Sequence, residues 1–214
     1  MSYSEQLAEI ALEIGAVKID AQHPFSWASG YKMPLYNDNR LLLGNSEHRA
    51  LVTAGMQSLI TAANIQVDTV AGIATAGIPP ATSLANALNT PLIYVRPAPK
   101  DHGKQNQIEG ILKKGDAVIV VEDLISTGGS ALKAVAAVRQ AGGKVDHCFC
   151  IFDYGFQKAQ DQFQQAHCQI HSLLTFDLLI QIGQKTGKIN AQEKAILEEW
   201  YKNPFEWGRL KGFQ

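Results

Sequence analysis

The sequence predicts an α/β fold, a mainly parallel twisted sheet flanked by helices, with a small N-terminal cap lying outside the alternation. Three observations predict it. From Thr69 onward, short apolar runs rich in β-branched residues alternate with helical patterns. The run AVIVV, Ala117 to Val121, shows no polar alternation, as expected of a strand buried on both faces. Glycines and prolines punctuate the joins between the runs. A chain of 214 residues suits one such domain and is short for two. We therefore read a cap over residues 1–44, a core over 45–176 and a helical tail over 177–214.

The elements follow in order. Leu7, Ile10, Ala11 and Ile14 recur at helical spacing from Tyr3 to Ile14, and Gly15 stops the helix. The stretch from His23 to Arg40 is rich in Gly, Pro, Ser and aromatics and reads as irregular, with a short strand at Leu35 and Tyr36. A helix starts near Ser46 and carries Leu51, Val52, Met56, Leu59 and Ile60 on one face. Thr69 to Ala74 reads as a buried strand. Pro79 and Pro80 suit the first turn of a helix running to Leu88. Leu92 to Val95 is a second strand, and Arg96 to Lys114 reads as one long polar loop. After the strand Ala117 to Val121 come a helix at Ser130 to Ala141, a strand at Val145 to Phe152, a helix at Phe156 to Ala166 and a strand at Ile170 to Leu174. The tail shows helical patterns at Leu178 to Ile182 and Ala191 to Trp200.

Composition narrows the function. Nineteen basic and 20 acidic side chains give a net charge of -1, which provides no field to recruit nucleic acid. The longest uncharged stretch, Thr69 to Val95, is broken by three prolines and two asparagines, so it does not read as a membrane span. MSYSEQLAEI lacks the layout of a signal peptide, and three cysteines make no disulfide scaffold, so a cytoplasmic protein is expected. Cys148 and Cys150 alternate along an apolar strand without a C-x-x-C. With His147, His167, Cys168 and His171 they read as core and surface residues rather than a zinc site.

The strongest chemical signal is VIVVEDLISTGGS, Val118 to Ser130. Apolar β-formers run into two acids, Glu122 and Asp123. Ser126, Thr127, Gly128, Gly129 and Ser130 then lead into a helix. Glycines at the foot of a helix let backbone N–H groups converge on an anion, and the helix dipole assists. The run is not a Walker A loop, because it lacks G-x-x-x-x-G-K-[ST] and Lys133 comes too late. The acids would repel phosphate, but they suit sugar hydroxyls and positive charge developing on a sugar carbon. Cradle and acids together describe a ribose 5-phosphate site.

These thirteen residues resemble the phosphoribosyl pyrophosphate (PRPP) signature of the type I phosphoribosyltransferases. The resemblance implies that fold. It also implies that Glu122 and Asp123 hold the ribose hydroxyls, while Leu124, Ile125, Ser126, Thr127, Gly128, Gly129 and Ser130 form the 5-phosphate loop. Three further segments resemble the orotate phosphoribosyltransferases. Tyr94 to Gly110 carries Arg96, Lys100, His102 and Lys104, and Lys-Asp-His-Gly at 100–103 matches that family's flexible loop, which grips pyrophosphate in the neighbouring subunit's site. Pro97 stands where many relatives have Lys. Pro24 to Arg40 is similar to the orotate-site segment through Phe25, Ser29, Gly30, Lys32, Pro34, Tyr36, Asn39 and Arg40, with Ala28 and Met33 where others carry Lys and Ser. Gly72 to Pro79 resembles the pyrophosphate loop, with Thr75 and Ala76 in place of Tyr-Lys. The basic residue that holds the orotate carboxylate in many relatives is missing at Phe152-Asp153-Tyr154-Gly155.

The resemblance implies transfer of a phosphoribosyl group from PRPP to orotate in pyrimidine synthesis, in a homodimer that shares its active sites. Lys100, His102 and Asp123 would be the catalytic residues, and Arg96, Lys100 and His102 would join the loop in binding PRPP. Ser126 would also touch orotate. Mg²⁺ would arrive mainly on PRPP, with no protein ligand assigned. The rival expectations are a phosphoribosyltransferase for another base and a PRPP-binding regulator without catalysis.

Overall fold

The computed structural model describes residues 1–27, 30–98 and 107–213. The chain divides into two compact units, one of residues 1–44 and 177–214 and one of residues 45–176.

The second unit is the α/β body. Its strands β5 (Thr69–Ile73), β6 (Leu92–Val95), β7 (Ile108–Glu109), β8 (Ala117–Ile125), β9 (Lys144–Asp153) and β10 (Gln169–Thr175) form one sheet in the order β10-β9-β8-β5-β6-β7. All neighbours are parallel except β7, which runs antiparallel to β6. Helix α2 (Ser46–Ala62) leads into β5, and α3 (Ile78–Leu88), α4 (Gly129–Gln140) and α5 (Gln157–Gln165) connect successive strands. One face of the sheet packs Ala71, Ile93, Val118, Val120, Cys148 and Cys150 against Ala131, Ala134, Val135 and Val138 of α4 and Ala159 and Phe163 of α5. β5 is buried at every position, as its unbroken apolar run requires.

Local chemistry explains the helix limits. Asn45, one residue before Ser46, caps α2 by accepting from the Glu47 N–H at 2.8 Å. Pro79 and Pro80 occupy the first turn of α3, where no intrahelical N–H is needed, and Asn89 ends it in the left-handed region at φ 54°.

Strand order sets the ligand crevice. The chain leaves β5 toward β6 on one side and reaches β8, β9 and β10 on the other. Between β5 and β8 the connections diverge, and such a switch point opens a cleft at the carboxyl ends of the strands.

Two expectations need correction in this unit. The segment Arg96 to Lys114 is not all loop. Ile108 and Glu109 pair with Val95 and Tyr94, the Arg96 N–H donates to the Gln107 carbonyl at 2.9 Å, and the Gln107 side chain donates to the Arg96 carbonyl at 2.8 Å. Two residues are too few to show a period, so only tertiary pairing reveals this strand. β8 does not end at Val121 either. Pairing with β9 carries it through Glu122 and Asp123 to Ile125.

The first unit holds α1 (Tyr3–Glu13), a β1 (Val17–Ile19) to β4 (Leu35–Asn37) ribbon, and a hairpin of β2 (Phe25–Ser26) and β3 (Lys32–Met33). It also holds the 3₁₀ turn Asn39–Gly44 and the tail helices α6 (Phe176–Lys185), α7 (Ala191–Lys202) and α8 (Trp207–Leu210). Ser2 and Glu5 cap α1 reciprocally, at 3.2 and 2.7 Å, and Asn190 and Glu193 do the same for α7 at 2.9 and 2.8 Å. The hairpin was expected to be irregular. Its strands are two residues each, and its turn depends on Gly30 at φ +85°. The tail packs within this unit, with Trp200 fully buried. Among the described residues no helix is long and apolar enough to cross a membrane.

Candidate active site

The carboxyl end of β8 delivers the two acids. Glu122 follows the core residues Val120 and Val121 and is buried, 6% exposed, whereas Asp123 is half-buried. Glu122 accepts from the Asp123 N–H at 3.0 Å and from the Ser130 hydroxyl at 3.4 Å. Burial pushes the Glu122 carboxyl up to about 8, and the adjacent charge of Asp123 adds to the rise. Of the two acids, Glu122 is the one whose proton is held to higher pH, and it lies beside the more accessible Asp123.

This shift has a consequence for stability. An acid whose pKa is raised on folding binds its proton more tightly in the native state. Its contribution is complete below the ordinary value of 4.5 and is lost as pH rises toward about 8. Asp153 is also raised by burial and remains in either variant. Glu122→Gln, which keeps the shape and removes the titration, is expected to flatten the decline in melting temperature between pH 4.5 and 8. Parallel wild-type and variant curves across that window would show that Glu122 is not the group responsible.

After Ile125 the chain turns through Ser126 and Thr127 into Gly128, the N-cap of α4, which has φ +78° and no side-chain cap. A helix start without a side-chain cap leaves its first N–H groups for an anion. Only glycine suits position 128, since a Cβ there would lie 2.8 Å from the Phe163 ring. Gly129 and Ser130 are exposed and open the first turn. Ile125 differs from its neighbours. Its side chain is in the core and its carbonyl accepts from the Tyr154 N–H at 3.0 Å.

The loop after β5 forms the second wall. The Ala74–Thr75 peptide is cis, and Gly77 lies against β8 at Val121, partway along the strand. A Cβ on Gly77 would collide with the Val121 carbonyl oxygen, one residue before Glu122, and would sit 2.8 Å from the Ile73 carbonyl oxygen. A cleft of about 250 Å³ opens beside this loop, lined by Ile73, Ala74, Arg96, Gln107, Ser130 and Lys133 among others. Arg96 faces Glu109 at 3.9 Å, and its buried Nη1 makes no hydrogen bond among the described residues.

The structure thus brings Arg96, Glu122, Asp123 and the turn Ser126 to Ser130 to one end of the sheet, with Leu124 half-buried on the same strand. Ser29, Lys100, His102 and Lys104 lie outside the described residues. Sequence reasoning missed two cleft residues. Lys133 was set aside for its distance from a Walker pattern, yet it sits one helical turn beyond Ser130 on the same face, a spacing visible in the sequence. Gln107 is placed by the β6–β7 pairing, for which the sequence carried no signal.

At the end of β9, Asp153 uses its carboxylate locally. It accepts from the Gly155 N–H at 2.8 Å and from the Gln160 side chain at 3.1 Å, fixing the turn into α5. The three cysteines are buried free thiols.

The comparisons with known proteins agree with this geometry. A family model of the phosphoribosyl transferase domain matches residues 44–176. An orotate phosphoribosyltransferase of Cytophaga hutchinsonii is 45% identical over 207 residues, covering 97% of this chain and 99% of that protein. Another, from Listeria innocua, is 44% identical over 209 residues, covering 98% of this chain and all of that protein. The crystal structure of orotate phosphoribosyltransferase from Aeropyrum pernix superposes with a TM-score of 0.73 at 31% identity, over 86% of this chain and 99% of that one. The carboxylate pair, the glycine turn and these likenesses together show that the chain belongs to the phosphoribosyltransferase family and, within it, to the orotate phosphoribosyltransferases.

Proposed function

We propose that this protein transfers the 5-phosphoribosyl group of PRPP to a ring nitrogen of orotate, releasing pyrophosphate and giving orotidine 5′-monophosphate. One observation carries the reading of the site: on the chain from β8 into α4, a buried and a half-buried carboxylate, Glu122 and Asp123, precede an uncapped glycine turn at a helix N-terminus. The α4 N–H groups with Ser126, Thr127 and Ser130 hold the 5-phosphate, while Glu122 and Asp123 take the ribose 2- and 3-hydroxyls. As the bond to pyrophosphate lengthens, positive charge grows on C1 of the ribose, and Asp123 stabilises it through the sugar. Orotate supplies the attacking nitrogen, so no protein nucleophile is required. Arg96 from the end of β6, with Lys100 and His102 by family resemblance, neutralises the departing pyrophosphate, and Lys133 lines the same cleft. By family resemblance Ser126 is assigned to the base, and by a separate resemblance so is the segment Pro24 to Arg40, which carries the hairpin.

Mg²⁺ fits this donor set as a substrate-borne ion. Mg²⁺ is a hard cation that usually keeps several waters and binds through substrate oxygens. Glu122 and Asp123 would meet it through water, and when bound it supplies charge neutralisation on the pyrophosphate oxygens. The buried thiols support a reducing, cytoplasmic setting.

The test is an absorbance assay of orotate consumption with PRPP and Mg²⁺, with uracil and adenine as controls. Turnover of orotate alone is expected. Turnover of another base, or of none, would overturn the assignment. We also assign the Lys100–His102 loop to the partner subunit's site in a homodimer. Mixed Lys100→Ala and Asp123→Ala subunits are then expected to regain activity that neither parent shows. Continued inactivity after subunit exchange would rule out shared sites.

A further inference from the structure

We propose that the C-terminal helices α7 and α8 set the position of the β2–β3 hairpin, and that Trp200 and Gly208 are positioning residues for base recognition. The inference rests on the assignment of that hairpin to the base.

The hairpin has little to fix it from within. Its strands are two residues long, and among the described residues its turn shows two backbone bonds, Trp27 N–H to the Tyr31 carbonyl at 2.9 Å and Gly30 N–H to the Trp27 carbonyl at 2.8 Å. An isolated hairpin of this size is not stable in water. The tail supplies what is missing at three points. Trp200 of α7 is completely buried, and its indole N–H donates to the Met33 sulfur at 3.0 Å. Its ring meets Trp27 edge to face at 6.5 Å, and Trp27 in turn donates to the Leu35 carbonyl at 3.1 Å. Phe205, between α7 and α8, packs on Tyr31 with centroids 5.2 Å apart.

The third point is the closest. Gly208 of α8 lies so near β3 that a Cβ on it would stand 2.7 Å from the Lys32 Cβ and 2.8 Å from the Lys32 carbonyl oxygen. The Lys32 Cβ and carbonyl oxygen are both fixed to the main chain and cannot swing away, so a methyl at 208 must push β3 or α8 aside. Gly208 thus faces Lys32 at its Cβ and its carbonyl group. The Met33 thioether accepts only a weak hydrogen bond, and here the tail's indole provides the donor for it.

The test is steady-state kinetics on the full-length protein with PRPP and orotate varied in turn. Because small displacements of a binding group carry large penalties, Gly208→Ala is expected to raise the KM for orotate about five-fold or more, leaving the KM for PRPP within about two-fold of wild type. Trp200→Phe keeps a ring and loses the N–H, and it should move the orotate KM in the same direction. Met33→Leu removes the acceptor, so Trp200→Phe and Met33→Leu should combine less than additively on that KM. A purely structural tail would lower the melting temperature and leave the two KM values unchanged or shifted in parallel. Either outcome, or additivity in the cycle, overturns the inference. Wild-type protein that does not consume orotate would instead overturn the function, and the inference with it.

Discussion

Asp123→Asn is expected to lower kcat/KM for PRPP by about 100- to 1000-fold, the range found when one preorganised electrostatic partner of a transition state is removed. The amide is isosteric and still accepts a hydrogen bond from a ribose hydroxyl, so ground-state binding should weaken less than turnover. The charge is lost, and with it the stabilisation of the cation forming at C1. Glu122 moderates the effect. Its proton is held first by burial and second by the charge of Asp123, so the variant lets Glu122 ionise more readily. The pH profile of the variant should therefore move to lower pH while its maximum falls. Asp123 is half-buried, so the melting temperature should change little. Initial rates across pH test this. A loss below ten-fold, with an unmoved profile, would place the charge that matters elsewhere.

Gly77→Ala is expected to cost about 3 kcal/mol of folding stability, at the upper end for overpacking, because the three nearest atoms are all backbone. The new methyl would collide with the Val121 carbonyl oxygen and stand 2.8 Å from the Ile73 carbonyl oxygen and 2.9 Å from the Ile73 nitrogen. β5 and β8 pair directly through Gly72 and Val121, so relief requires one strand end to move. Since Glu122 follows Val121, that movement also displaces the acids, and activity should fall even at temperatures where the variant is folded. Denaturant unfolding together with rates on the folded variant reads both effects. A variant with wild-type midpoint would show that the loop after β5 yields at no cost.

The core was legible because each crossover in a parallel sheet needs a strand and a helix long enough to display their periods. β5, β6, β9 and α2 to α5 therefore appear in the sequence within a few residues of their observed limits. β8 was read too short, because Glu122 and Asp123 break the apolar run while pairing with β9 continues beneath them. β7 and the β2–β3 hairpin were invisible for a different reason. Two-residue strands have no period, and pairing partners and Gly30 define them. In the site, Glu122, Asp123 and the glycine turn were legible because they are contiguous. Gln107 was not, because it reaches the cleft only through a tertiary pairing, and Lys133 was overlooked although α4 carries it at the spacing of Ser130 plus three. The tail showed helical patterning without naming a partner. Amphipathicity reports that a face is buried, not what buries it, and only the fold brings Trp200 to Met33.

The most direct measurement is a crystal structure of the protein grown with PRPP and Mg²⁺. The account predicts the 5-phosphate on the backbone N–H groups from Thr127 to Ser130, with the ribose hydroxyls on Glu122 and Asp123. Density for PRPP in another pocket, with the turn before α4 holding only water, would contradict it.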